Sequence, residues 1–156
     1  MSSFNKEIFE IESQSDQLKP LRDKLRILLE QAGFCEKTAE SILVALGEGV
    51  TNAIRHSYLG QPGKKIIVSY EEFPDKVTLK IRDFGIKFDP KKVPEPVIPP
   101  VKGGGLGVYF MKTIMDELAY NTDHTQGNEL ILSKKKEGIK SWKYRQSRLI
   151  KWIGSN

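Results

Sequence analysis

Lys65-Ile66-Ile67-Val68-Ser69-Tyr70, then Phe73-Pro74-Asp75, then Lys76-Val77-Thr78-Leu79-Lys80-Ile81-Arg82 is the stretch that decides the fold. Val77, Leu79 and Ile81 alternate strictly with polar residues, which is the period of a strand with one apolar and one solvated face. Phe73–Asp75 breaks the run where the chain must reverse, so the two segments read as a hairpin with one solvated face.

On the N-terminal side, Phe4 to Ile11 suits a short strand. Ser13 to Asp16 offers N-cap candidates, Pro20 suits a first helical turn, and Leu21, Leu25, Leu28 and Leu29 recur at helical spacing until Gly33. A second helix is predicted from Glu36–Thr38. There Ile42, Val44, Ala45, Leu46, Val50, Ala53 and Ile54 cover more than one stripe, so the helix is buried on much of its circumference. Gly47 and Gly49 each cost roughly 1 kcal/mol relative to alanine in such a helix. Close access to their backbone and tight helix packing are the two readings of that cost.

On the C-terminal side, five of the eight prolines (Pro90, Pro94, Pro96, Pro99 and Pro100) fall in residues 90–100 and predict a long extended loop. Gly103-Gly104-Gly105-Leu106-Gly107 then opens an amphipathic helix carrying Val108, Phe110, Met111, Ile114, Met115 and Leu118, in which Phe110, Met111 and Met115 read as core filling. Tyr120 and Glu129–Ser133 read as two last strands joined by a turn at 123–128. The order is β-α-α-β-β-loop-α-β-β. Helices and hairpins are grouped and do not alternate, which points to an α+β two-layer sandwich and away from a doubly wound parallel sheet.

The 156 residues favour one domain at 1–136, followed by a basic amphipathic extension at 137–156 that contains Trp142 and Trp152. The formal charge is +5, but it is unevenly placed: from Lys134 onward stand 8 basic residues and one acid, Glu137, while positions 1–133 hold 17 basic and 19 acidic residues. This distribution argues against a uniformly basic nucleic-acid-binding domain. A lone Cys35 excludes an internal disulfide, and the absence of a long apolar run argues against a membrane span, so a cytoplasmic setting without membrane or nucleic-acid partners is expected.

Three elements can carry chemistry. Glu48 and Asn52 stand one turn apart on the second helix, and His56 extends the line. Glutamate can take a proton, and the asparagine carbonyl suits a hard cation such as magnesium. Asp83-Phe84-Gly85 ends the alternating strand, where a carboxylate can accept from a ligand amine and glycine permits close approach. The glycine run at 103–107 offers backbone amides and a positive helix end to phosphate oxygens. Taken singly these are also a solvated helix face, an Asp-x-Gly turn and a hinge. The Asp-Phe-Gly tripeptide occurs in protein kinases too, but the chain is too short for that fold and lacks its other elements.

In their order, the three elements resemble the GHKL ATPase family, and within it the bacterial anti-sigma factor serine/threonine kinases. The matching stretches are Leu46 to Tyr58, Ile81 to Pro90, Gly104-Gly105-Leu106-Gly107 running into Phe110-Met111, and Gly127-Asn128-Glu129-Leu130. The resemblance covers residues 5–136 and implies a Bergerat-type ATP-binding fold: a mixed, mostly antiparallel sheet covered by helices on one face.

By that resemblance, Asn52 coordinates Mg2+ on the ATP phosphates and Glu48 orients or deprotonates the attacking hydroxyl. Asp83 accepts from the adenine amine and Gly85 lets the base approach. Residues 91–104 form a lid, Gly105 and Gly107 hold phosphates, and Lys102, Gly104, Leu106 and Asn128 complete the nucleotide contacts. The implied phosphoryl acceptor is a STAS-type anti-anti-sigma protein, the second partner is a sigma factor, and a homodimer is expected. Two other readings stand beside it, a non-catalytic nucleotide-dependent partner-binding module and the catalytic fragment of a histidine kinase system. Ile86-Lys87 departs from the small residue many relatives carry after Gly85, leaving Lys87 to narrow the pocket or approach phosphate. Arg55 and His56 are assigned structural or surface roles, and Cys35 is an incidental thiol.

Overall fold

The computed structural model describes residues 2–3, 5–89, 91 and 106–137. Apart from Lys91, the expected loop over 90–100 lies outside the described residues, as do the glycines at 103–105, Lys102, the segment 138–156 and the Leu106 side chain.

Along the chain run β1 (Asn5–Glu12), a 3₁₀ turn (Ser15–Gln17), α1 (Leu18–Gln31), α2 (Glu36–Asn52), a π turn (Ala53–Ser57), β2 (Lys65–Glu72), β3 (Lys76–Asp83), α3 (Leu106–Ile114), β4 (Glu117–Asn121) and β5 (Asn128–Lys135). The strands form one sheet in the order β1-β2-β3-β5-β4, and every neighbouring pair is antiparallel. The α+β sandwich is as expected, with a wholly antiparallel sheet in place of a mixed one.

Alternation sorts the strands into two faces. Val68, Ile81 and Leu130 lie in one cross-strand row and Tyr70, Leu79 and Leu132 in the next, all of them buried. Leu21, Leu25 and Leu29 of α1, Ile42, Leu46 and Val50 of α2, and Met111 of α3 join them in one core. The opposite face is less open than the pattern implies. Thr78 and Ser133 are buried there and share a hydrogen bond of 2.9 Å, while Glu71 is bracketed by Lys80 at 3.1 Å and Lys6 at 3.5 Å.

Local expectations are corrected at three points. Ser13 does not cap α1: it is buried, donates to the Gln61 carbonyl at 2.6 Å and accepts from the Lys64 amide at 2.9 Å, tying the chain before α1 to the loop before β2. Helix α3 stops at Ile114. The Ile114 carbonyl is taken by Lys134 Nζ at 2.7 Å, and the Asp116 amide bonds to Ser133, so Leu118 belongs to β4 despite its helical spacing. Met111 and Met115 fill the core, whereas Phe110 is 40% exposed.

The two helix glycines separate cleanly. A Cβ at Gly49 would lie 2.5 Å from Ile81 Cδ1 and 3.0 Å from Leu130 Cδ2, so α2 needs glycine there to reach the sheet. Nothing within 4 Å explains Gly47.

Candidate functional site

The alternation that buries Val77, Leu79 and Ile81 continues one step to Asp83, which therefore points under the helices in register with Ile66 and Asn128. Asp83 is 3% exposed. A carboxylate removed from water this completely needs donors, and three groups supply them. The Gly85 amide donates to Oδ1 at 3.0 Å, Ser57 Oγ donates to Oδ2 at 3.0 Å, and Asn128 Nδ2 donates to Oδ1 at 3.1 Å with a longer 3.4 Å contact to Oδ2. With roughly four lone-pair directions on a carboxylate, Oδ2 retains acceptor capacity for a ligand N–H.

Asn128 does more than hold Asp83. Its Nδ2 also lies 3.0 Å from Ser57 Oγ and 2.9 Å from the Ile86 carbonyl, and its Oδ1 accepts from the Phe88 amide at 2.7 Å. The residue expected to touch nucleotide thus spends its side chain inside the protein, fixing both the carboxylate and the 86–88 turn. Gly127, with φ +70, has no room for a side chain, because a Cβ would overlap the Asp83 carbonyl. Arg82 spans the same turn, donating to the carbonyls of Asp83, Asn128 and Gln126.

Gly85 is also explained by packing within the protein. A Cβ there would overlap the Ser57 carbonyl oxygen, which already accepts from the Ile86 amide at 2.8 Å. Beside it, Tyr58 is buried, accepts from the Phe84 amide at 2.7 Å and donates to the Lys65 carbonyl at 2.5 Å. Desolvation pushes its phenol above the ordinary value, so it stays protonated at neutral pH. Lys87 turns to the loop before β5. Its Nζ donates to the His124 carbonyl at 2.8 Å and lies 3.4 Å from that of Thr122.

Glu48 and Asn52 occupy the last two turns of α2, both half-buried, and neither makes a side-chain hydrogen bond to another described residue. His56 leaves their line because the helix widens after Asn52: the Tyr58 amide bonds to the Ala53 carbonyl, five residues back, and the extra residue in the turn rotates Arg55 and His56 outward, where both are exposed. The same widening places Ser57 over Asp83. Gly107, in the first turn of α3, abuts Glu48. A Cβ there would sit 2.5 Å from Glu48 Oε2, so glycine lets the carboxylate lie against the start of α3. The structure thus groups Asp83, Gly85, Ser57 and Asn128 at the strand ends, and Glu48 with Gly107 on the helix layer.

Ser57, Tyr58 and Arg82 were not among the expected site residues. Only the periodicity of β3, continued to Asp83, signals that a polar partner is needed above it. Among the described residues no cluster of three or more His, Cys, Asp or Glu side chains can hold a metal. A single oxygen ligand such as Asn52 suits magnesium, which keeps water and phosphate oxygens as its other ligands.

The sequence profile described as "Histidine kinase-like ATPase domain" matches residues 11–134. The chain belongs to this family. Among its relatives, "Serine-protein kinase RsbW" of Listeria innocua is 27% identical over 115 residues, covering 69% of this chain and 72% of that protein. The protein of the same name from Oceanobacillus iheyensis is 24% identical over 142 residues, covering 86% and 89%. That of Bacillus pumilus is 30% identical over 108 residues, covering 63% and 67%. A crystal structure of the RsbU and RsbW domains of Rv1364c from Mycobacterium tuberculosis superposes with a TM-score of 0.59 at 16% identity. It covers 83% of this chain and 31% of the other, so this histidine kinase-like ATPase domain spans about a third of that protein. No helix among the described residues is long and apolar enough to cross a membrane.

Proposed function

We propose that the chain is an ATP-dependent serine/threonine protein kinase and anti-sigma factor, phosphorylating a STAS-type anti-anti-sigma protein and sequestering a sigma factor, as a cytoplasmic homodimer. The observation that carries this reading is the pairing of a buried Asp83, held by three internal donors with acceptor capacity left on Oδ2, with an uncommitted Glu48 on the adjoining helix. The first is a rigid acceptor for a base amine. The second is a carboxylate free to take a proton. Membership in an ATPase family and the RsbW relatives support it.

In this reading ATP supplies the phosphoryl group, and Mg2+ neutralises charge on it. Asp83 holds the adenine amine through the remaining lone pair of Oδ2, Asn52 lends an oxygen to Mg2+, and Gly107 offers its amide to phosphate along with Lys102, Gly104, Gly105 and Leu106. Glu48 accepts the proton of the attacking hydroxyl and contributes about 10²–10⁴-fold, while the rest of the acceleration comes from positioning and electrostatics. Gly85 and Asn128 act one step back, by fixing Asp83. The domain occupies 1–136, with 137–156 as a basic extension.

The test is transfer of labelled phosphate from ATP to a STAS-type protein by wild type and Glu48→Gln. Loss of transfer with MgATP binding retained is expected. Unchanged transfer removes Glu48 as the base, and binding without transfer in the wild type turns the reading into a partner-binding module.

A further inference from the structure

Beyond α2 and its π turn, Tyr58–Gln61 closes as a type I′ turn. The Gln61 amide donates to the Tyr58 carbonyl at 2.9 Å, and both central residues have positive φ, +52 at Leu59 and +77 at Gly60. Such turns select Asn, Asp or Gly at their first central position. A leucine there is sterically opposed, and this one is also 67% exposed. Backbone strain and water both act against it, and strained residues of this kind gather at ligand-contacting positions.

Leu59 lines a wide-mouthed cavity of about 630 Å³, open to solvent, together with Ile86, itself 57% exposed, and with Phe84, Lys64 and Lys65. One charged group after another surrounds the Phe84 ring: the Arg82 guanidinium lies 4.4 Å from its centre and Lys65 Nζ 5.8 Å. Lys64 has no carboxylate partner among the described residues, and Lys65 has only a 3.8 Å contact with Glu10, both partners being half exposed or more. The cavity thus combines two poorly neutralised cations with three apolar side chains. Its lining, two cations beside apolar side chains, suits a small organic anion lying in an open depression.

Ser57 and Gly85 form its wall, whereas Glu48, Asn52 and Asp83 do not line it. We propose that this cavity is a second ligand site, separate from that of Asp83, for a small anion with an aromatic or apolar body: the anionic group between Lys64 and Lys65, the body between Leu59, Phe84 and Ile86. It stands whether or not Asp83 binds a nucleotide. If both sites are filled, the Ser57–Gly85 contact is their shared wall, and any coupling between them acts equally in both directions.

The test titrates the full chain, labelled with ¹⁵N, with anilinonaphthalene sulfonate as the anionic aromatic probe, with and without saturating MgATP. Saturable binding is expected, with amide shifts confined to residues 57–65, 84–86 and 126, and no competition from MgATP. The double variant Lys64→Glu/Lys65→Glu and the single variant Leu59→Asn should each weaken it about tenfold or more. Asparagine suits the turn, so Leu59→Asn removes the apolar rim without unfolding it. Shifts elsewhere, no saturable binding, unaltered affinity in both variants, or displacement by MgATP at a common site would each overturn the proposal.

Discussion

Replacing Asn128 by alanine should collapse the support of Asp83, and the structure gives the size of the effect. Nδ2 has two protons to share among Asp83 Oδ1, Ser57 Oγ and the Ile86 carbonyl, at 3.1, 3.0 and 2.9 Å, and Oδ1 accepts from the Phe88 amide at 2.7 Å. The side chain therefore makes about three effective bonds, one of them to a carboxylate. A hydrogen bond to a charged group contributes about 1.5–3 kcal/mol and a neutral one about 0.5–1.5 kcal/mol. Water entering the vacated space recovers part of this, so Asn128→Ala should cost about 2–4 kcal/mol. Urea denaturation of the full chain reads this as a lower midpoint at an unchanged slope. Asn128→Asp, which sets a second carboxylate against Asp83, should cost more than alanine at neutral pH and recover as the pH falls, because protonating either acid removes the repulsion and restores a donor. A loss below about 0.5 kcal/mol in Asn128→Ala, the scale of an ordinary surface change, would refute the claim that this side chain holds the site.

Two further outcomes concern the helices. Gly49→Ala should destabilise by about 1–3 kcal/mol through overpacking against Ile81 and Leu130, whereas Gly47→Ala, with open space around it, should be neutral or stabilising by up to about 1 kcal/mol; paired thermal melts decide, and equal effects would contradict the packing described. The Arg26 guanidinium, bonded to Glu40 at 2.5 Å across α1 and α2, holds the Glu40 carboxyl below the ordinary carboxylate range. A carboxylate with its folded-state pKa lowered stabilises above its unfolded value and loses that contribution as the pH falls through the folded one. Glu40→Gln should therefore flatten the stability profile below about pH 4; an identical acid limb in both proteins would show that the pair contributes nothing.

Period-two spacing in Val77, Leu79 and Ile81 was enough to read β3 and its hairpin from the sequence, and one more step along it puts Asp83 on the buried face. Leucines four apart made α1 legible in the same way, as local patterns on single elements. What the sequence did not disclose depends on contacts across long separations. Ser57 meets Asp83 across 26 residues and Asn128 across 71, and no local pattern encodes either pairing. Local periodicity also misled where tertiary contacts decided: Leu118 keeps helical spacing with Ile114 but pairs with Leu132 in the sheet. Glu48, Asn52 and His56 share an i, i+4 line on paper. The π turn after Asn52 takes His56 out of it, and nothing in the composition of 53–57 announces that turn. Gly85 and Gly107 were legible as places of close approach, yet the groups approaching them here are Ser57 and Glu48 of the protein itself.

Asp83 is proposed as the floor of an adenine nucleotide site. Calorimetric titration of the wild type and Asp83→Asn with ATP and with GTP, each with and without magnesium, tests it most directly. Asp83 only accepts, so it should favour adenine, which presents an amine, over guanine, which presents a carbonyl there. Saturable ATP binding that tightens with magnesium, much weaker GTP binding, and loss of ATP binding in Asp83→Asn are expected. Equal affinity for the two nucleotides, or undiminished ATP binding in the variant, would contradict this assignment.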